Sequence, residues 1–241
     1  MPEIHVPEIH VPEIRAFIFD MDGVIVDSNP LHRASWAEYN RRQGVETTEE
    51  MQQRMYGKRN DMIVRDYLGT HLTDAEVFAH GAAKEKLYRE MLAPRLKESL
   101  VTGLVAFLQR HAGMPTAIAT NAEPPNVEFV LREANLARFF QIVVDGHQVP
   151  NPKPYPDVYL RAAELLGIPP ANCVVFEDSH GGVAAGLAAG MRVIGITTTY
   201  AELPGVSLHA RDFNDPAIES WLAQNQTEMG NGTAALSSSV R

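Results

Sequence analysis

Apolar and polar residues follow two rhythms along the chain. Short, nearly unbroken apolar runs bounded by turn residues occur at 16–20, 116–120, 141–145, 173–177 and 192–197, as strands buried on both faces require. Between them the apolar residues take helical spacing. Val127, Val130, Leu131 and Ala134 fall at i, i+3, i+4 and i+7, and Val158, Ala162, Leu165 and Leu166 repeat the stripe,. Helix signals also precede the second run, at Leu104, Phe107, Leu108 and His111. Strands alternating with amphipathic helices predict an α/β fold, a doubly wound, Rossmann-like parallel sheet flanked by helices.

The first two runs break the rule. A βαβ unit takes about 30 residues, yet Asp20 and Thr120 stand 100 apart. The surplus must form something of its own. Residues 29–95 are rich in helix formers, pair Val64 with Leu68 at helical spacing and contain no good strand. They are read as an inserted α-helical cap, with 15–28 and 96–224 forming the Rossmann-like core and linkers near 26–29 and 94–99. At the ends, Pro-Glu-Ile-His-Val occurs twice after Met1 and then Pro-Glu-Ile, completing residues 1–14. A period of five is too short for a solenoid unit. Spaced prolines deny this stretch ladder hydrogen bonds, so a flexible extension is favoured over a metal site at His5 and His10. Residues 225–241, rich in Ser, Thr, Asn and Gly, are expected to be a disordered tail.

Composition narrows the partners. A chain 45% hydrophobic and 21% charged has the globular balance,. Its net charge of −9 opposes phosphate backbones and anionic headgroups, so neither nucleic acid nor a membrane is expected as a partner. A local basic pocket for a small phosphorylated molecule remains compatible with that sum. The single cysteine, Cys173, permits no intramolecular disulfide,. With no secretory signal pattern and no apolar run of about 18 residues, a soluble cytoplasmic protein is expected, as a monomer or weak dimer.

Candidate chemistry gathers where the strands end, since doubly wound sheets bind ligands outside their carboxyl edges. The first run passes directly into Asp20-Met21-Asp22-Gly23-Val24. A turn or helix cap accounts for Asp22-Gly23 but leaves Asp20 unexplained. The second ends in Thr120-Asn121 ahead of Pro124-Pro125 and a helix, whose free amides favour an anion. The third is followed by Lys153 between two prolines, and the fourth ends in Glu177-Asp178. Adjacent carboxylates at the end of an apolar strand are costly unless paired or metal-bound.

Together these four motifs, in this order, resemble the haloacid-dehalogenase superfamily over residues 15–213. The run from Asp178 to Met191 is similar to members with a helical cap between the first and second motifs. The resemblance implies phosphoryl transfer through an aspartyl phosphate: Asp20 as nucleophile, Asp22 as general acid and base, and Mg²⁺ held by Asp20, the Asp22 carbonyl and Asp178. It also implies that Thr120, Asn121 and Lys153 hold the phosphoryl oxygens, that Glu177 supports the metal or Lys153 from behind, and that Lys153-Pro154 is cis. Dehalogenases lack an acid at the place of Asp22, which argues against dehalogenation. For phosphonate cleavage, Lys58 is the nearest Schiff-base candidate, in a cap that does not otherwise resemble that branch.

The segment from Asp20 to Trp36, with Asp27, Ser28 and His32, is similar to both sugar phosphatases and β-phosphoglucomutases. His32, Trp36, Lys58 and Arg59 are cap-side candidates for substrate contact, each with a packing or solvation alternative. The cap loop reads Gly57-Lys58-Arg59-Asn60-Asp61 where the mutases have Gly-x-Ser-Arg, and Glu123 stands where they usually have a lysine. Both departures favour a Mg²⁺-dependent phosphatase acting on a small phosphorylated metabolite, a sugar phosphate above all. A β-phosphoglucomutase-like mutase is the first alternative, with Lys58 or Arg59 holding a second phosphate. A non-catalytic binding protein of the same fold is the second, disfavoured because Asp20, Asp22, Lys153 and Asp178 are all retained.

Overall fold

A computed structural model describes residues 12–55 and 58–226. Most of the N-terminal repeat, with His5 and His10, lies outside the described residues, as do Tyr56 and Gly57 of the cap loop and residues 227–241. The chain enters through β1 (Ala16–Phe19) and leaves the sheet for α1 (Asn29–Arg42), α2 (Glu49–Arg54), α3 (Asn60–Leu68) and α4 (Asp74–Leu92). It returns through α5 (Leu96–Ser99) and α6 (Leu104–Arg110). Then come β2 (Thr116–Thr120), α7 (Pro124–Glu133), β3 (Ile142–Asp145), α8 (Asp157–Leu166), β4 (Cys173–Glu177), α9 (His180–Ala188), β5 (Arg192–Ile196), β6 (Leu208–Ala210) and α10 (Pro216–Gln226). The strands form one sheet in the order β3-β2-β1-β4-β5-β6, every pair parallel. A Rossmann-like sheet with an inserted helical cap is therefore the observed fold. The five apolar runs are its first five strands. The sixth, Leu208-His209-Ala210, buries only Ala210 fully and is too short to show a pattern.

Successive side chains of a strand point to opposite faces, and the sheet divides its residues accordingly. Phe17, Phe19, Ile118, Val174, Phe176 and Ile194 enter one core; Ile18, Ala117, Ala119, Val175 and Val193 enter the other. The first is aromatic: Phe19 and Phe176 stack with centroids 4.8 Å apart and planes 12° apart, and Phe107 and Phe213 pack against both. The cap has a core of its own around Trp36, Tyr39, Ile63, Val64, Tyr67 and Val77. Its helix α4 nevertheless ends in the sheet's aromatic core through Tyr88 and Leu92, so insertion and sheet share packing.

Three boundaries differ from expectation. Ile14, assigned to the flexible extension, is 3% exposed and packed in the core, because burying its side chain outweighs the freedom of a terminal residue. At the other end α10 runs to Gln226, two residues into the expected tail, and Asn225 accepts a hydrogen bond from Arg192. The return linker is helical through Ser99, because buried Leu96 anchors it. The crossing itself lies slightly later, where Asp27 N donates to Ser99 O (2.7 Å) and Val101 N to Ile25 O (3.1 Å).

Between cap and sheet lie two fully buried charges of α4, Lys84 and Glu85. Glu85 Oε1 accepts from Lys84 Nζ and from Asn60 Nδ2, each at 2.8 Å, and Oε2 accepts from Asn126 Nδ2 at 2.6 Å. Burial pushes the Glu85 carboxyl up, but the Lys84 ammonium and these hydrogen bonds outweigh it and bring the pKa down to about 2. A carboxyl lowered in this way stabilises the fold fully above the unfolded-chain value of about 4.5 and loses that contribution as pH falls toward about 2,. Glu85→Gln should therefore flatten the fall of unfolding free energy between pH 5 and pH 2, measured by urea titration at each pH; an unchanged slope would contradict the assignment. Phe176→Ala, emptying the centre of the aromatic core, should cost about 3–5 kcal/mol in the same assay at neutral pH.

Candidate active site

The strand ends bring the expected residues together through backbone that the sequence leaves little choice about. Asp20 follows β1 directly, and its N–H still donates to Phe176 O at 3.0 Å, so its carboxyl stands at the sheet edge beside β4. Lys153, beyond β3, is held by its loop: its N–H donates to Asn121 Oδ1 at 3.2 Å, and the Lys153-Pro154 bond is cis. The Lys153 ammonium reaches Asp20 Oδ1 at 2.8 Å and Glu177 Oε1 at 2.6 Å. It lies 4.7 Å from the Tyr159 ring centroid. Glu177 is saturated by the protein. Tyr159 Oη donates to Oε1, while the Asp178 N–H, the Ser179 N–H and the Ser179 hydroxyl donate to Oε2. A Cβ at Gly182 would fall 1.7 Å from Glu177 Oε1, and one at Gly23 would fall 1.8 Å from Asp178 Oδ2. Both glycines are space made for carboxylates.

Asp22 sits in a turn that brings the cap to it. Oδ1 accepts from the Ser28 hydroxyl at 2.5 Å and from His32 Nε2 at 3.2 Å. The His32 ring stacks on Tyr88 with centroids 3.9 Å apart, and its Nδ1 lies 2.7 Å from Lys84 Nζ. An ammonium has only donors to offer, so Nδ1 accepts and the ring proton on Nε2 is the one given to Asp22. Burial alone would raise the Asp22 carboxyl; the hydrogen bonds from His32 and Ser28 counter it, and the carboxyl is held below the usual range.

The neighbouring carboxylates go the other way. Burial, followed by Glu177 and Asp22 against the opposing pull of Lys153, lifts Asp20 to about 7, and burial with Glu177 and Asp20 lifts Asp178 well above its ordinary value. Asp178 Oδ2 accepts from Asn29 Nδ2 at 3.2 Å and from the Thr199 hydroxyl. Asp20, Glu177 and Asp178 each place a carboxylate oxygen within 4.8 Å of the other two. One ammonium faces three carboxylates, and a divalent cation is the partner that this surplus fits. Because the oxygens of Glu177 are occupied, Asp20 and Asp178 are the carboxylates left to hold it.

Asp20, Asp22, Thr120, Asn121, Lys153 and Asp178 line one chamber of about 90 Å³, to whose wall the cap contributes His32, Trp36 and Lys58. Trp36, only 1% exposed, gives most of its surface to the cap core. Arg59 is not brought there: it lies in a neighbouring groove, 3.3 Å from Asp61. Lys84, Glu85, Asn126 and Tyr159 were not singled out from the sequence. Lys84 had a signal, since Val77, Gly81, Lys84, Tyr88 and Leu92 form the buried stripe of α4 and a lysine inside such a stripe needs a partner.

A family model described as haloacid dehalogenase-like hydrolase matches residues 14–190. Protein CbbY of Rhodobacter capsulatus is 31% identical over 90% of this chain and 99% of its own length. Fructose-1-phosphate phosphatase YqaB of Escherichia coli is 32% identical over 74% and 94%. The crystal structure of a family IA, variant 3 HAD hydrolase from Entamoeba histolytica superposes with a TM-score of 0.78 at 27% identity, covering 88% of this chain and all of that one. With the four strand-end motifs converging on one chamber under a helical cap, the chain belongs to the haloacid dehalogenase-like hydrolases.

Proposed function

We propose that this protein is a Mg²⁺-dependent phosphatase that hydrolyses a small phosphorylated metabolite, a sugar phosphate, through an aspartyl-phosphate intermediate. The observation that carries the reading is the buried set of Asp20, Lys153 and Asp178, with Glu177 behind Lys153, at the floor of a chamber that the cap overhangs. Similarity to a fructose-1-phosphate phosphatase supports the substrate class.

In this reading an oxygen of Asp20 attacks phosphorus, the phosphorus–oxygen bond of the leaving alcohol breaks, and water later cleaves the acyl phosphate, returning Asp20 and releasing phosphate. Lys153 and Thr120 bind the transferring oxygens, and the Lys153 ammonium keeps one Asp20 oxygen in place. Glu177 holds Lys153 rather than substrate, given its full set of hydrogen bonds. Asp20 and Asp178 with the Asp22 carbonyl would hold Mg²⁺, which would neutralise charge as the phosphoryl group enters. Asp22 acts first as the acid: its carboxyl, held low by His32 and Ser28, gains proton affinity beside the entering phosphate, takes up the proton that a phosphate monoanion brings and gives it to the departing alkoxide. In the second step it acts as the base and takes a proton from the attacking water, which then leaves with the released phosphate.

Water rather than a second sugar phosphate is the acceptor in this reading. A mutase must grip a second phosphate in the outer part of the chamber. That wall carries Glu123 with Asn60, and Arg59 is turned toward Asp61. Lys58 is the cation on which the mutase alternative would depend.

Asp20→Asn should abolish turnover with an unchanged circular dichroism spectrum; substantial remaining activity sinks the nucleophile assignment. Chelation of divalent ions should also abolish it, with recovery on adding Mg²⁺. Incubation with β-glucose 1-phosphate primed by glucose 1,6-bisphosphate, alongside a panel of sugar phosphates, separates the two acceptors. Free phosphate should accumulate. Glucose 6-phosphate with little phosphate would make the enzyme a mutase.

A further inference from the structure

Asn126 lies on the core helix α7, is 1% exposed, and spends its whole side chain on the cap. Its Nδ2 donates to Glu85 Oε2 at 2.6 Å and its Oδ1 accepts from Arg89 Nη1 at 2.7 Å. Glu85 and Arg89 are one helical turn apart on α4, so they flank the amide like two jaws of opposite charge. Only one orientation of the amide satisfies both, with NH₂ toward the carboxylate and C=O toward the guanidinium. The clamp does not stop at the seam. Glu85 Oε1 takes the Lys84 ammonium at 2.8 Å, Lys84 reaches His32 Nδ1 at 2.7 Å, and His32 Nε2 faces Asp22 Oδ1 at 3.2 Å.

We propose that Asn126 is a positioning residue for the reaction: by seating Glu85 and Arg89 it fixes Lys84, and through Lys84 it orients the His32 ring that holds Asp22. The chain of contacts starts and ends on the core but passes through the cap, so it is complete only when the cap is docked. Readiness of Asp22 is thereby tied to closure. Without the Asn126 amide, Glu85 keeps a buried carboxylate oxygen with no donor on that side, and its cheapest response is to move. Lys84 moves with it. The imidazole then loses the donor that fixes its tautomer, and the proton on Nε2 is no longer held for Asp22.

This inference rests on the phosphatase reading, with Asp22 as the acid that protonates the leaving group, and its test separates the two. Compare kcat/KM, which reads only as far as phosphoryl transfer, for the best sugar phosphate of the panel and for acetyl phosphate, whose leaving acetate needs no proton. Asn126→Ala should lower the first about tenfold or more and change the second by less than about threefold. Equal losses on both, or no loss on either, overturn the proposal. Asn126→Asp alone places two carboxylates face to face and should be as impaired. Asn126→Asp with Glu85→Gln restores one amide against one carboxylate, with the net charge kept, and should recover most of the activity; no recovery counts against the clamp. A second measurement needs no turnover. Hydrogen exchange of α4 amides 84–92 should quicken in Asn126→Ala relative to the unaltered protein, and unchanged exchange overturns the clamp even if no sugar phosphate is hydrolysed. If exchange quickens while the unaltered protein turns over no phosphorylated compound, the phosphatase reading fails and the clamp between cap and core stands.

Discussion

Everything at the site depends on one buried ammonium placed between two buried carboxylates. Lys153 Nζ lies 2.8 Å from Asp20 and 2.6 Å from Glu177, and removing one partner from a buried pair leaves an uncompensated charge that is strongly destabilising. Burial opposes the charge on Lys153, yet Asp20 and Glu177 raise its pKa above the ordinary lysine value. The two carboxylates are not equivalent. Glu177, with four donors around it besides Lys153, is held low; Asp20, with Lys153 as its side-chain donor and Glu177 and Asp22 nearby, is pushed up to about 7. The protein thereby keeps one carboxylate as a fixed counter-ion for the lysine and leaves the other electrostatically unfinished, and it is on this second carboxylate that the proposed reading places the cation and the phosphoryl group.

The sheet supplies the rigidity that this arrangement requires. β1 and β4 are in register from Ala16 and Cys173 to Phe19 and Phe176, and the stack of Phe19 on Phe176 ties together the residues immediately preceding Asp20 and Glu177. Glycines at 23 and 182 allow loop and helix to approach the carboxylates more closely than any side chain would permit. The cap adds the second half of the site. Asp22 is gripped by Ser28 at the crossing and by His32 on the first cap helix, so the group assigned acid and base work is the point where core and insertion meet.

The sheet was legible in the chain because parallel strands buried on both faces read as apolar runs, and its polar strand ends stood out against them. The insertion was legible as arithmetic, from the excess length between Asp20 and Thr120. Ile14 and Asn225 were hidden because low-complexity neighbours mask a single anchoring residue. Asn126 was hidden for a different reason. An asparagine two residues after Pro124 looks like any first-turn polar residue, and its partners lie on an element 37 and 41 residues away that only the fold brings near. Lys84 lies between these cases, since its place in the α4 stripe was readable but its neighbour Lys86 blurred the signal. Arg59 shows the converse, a conspicuous cation that the fold directs to Asp61 instead of the chamber.

The central claim is that Asp20 carries the phosphoryl group, and quenching the enzyme in acid during turnover of its best sugar phosphate tests it most directly. Mass spectrometry of the digested protein should find a phosphoryl group on the peptide containing Asp20, labile to hydroxylamine as an acyl phosphate is, and absent from Asp20→Asn. Phosphate released with no such adduct at any quench time, or an adduct on another residue, would contradict the account.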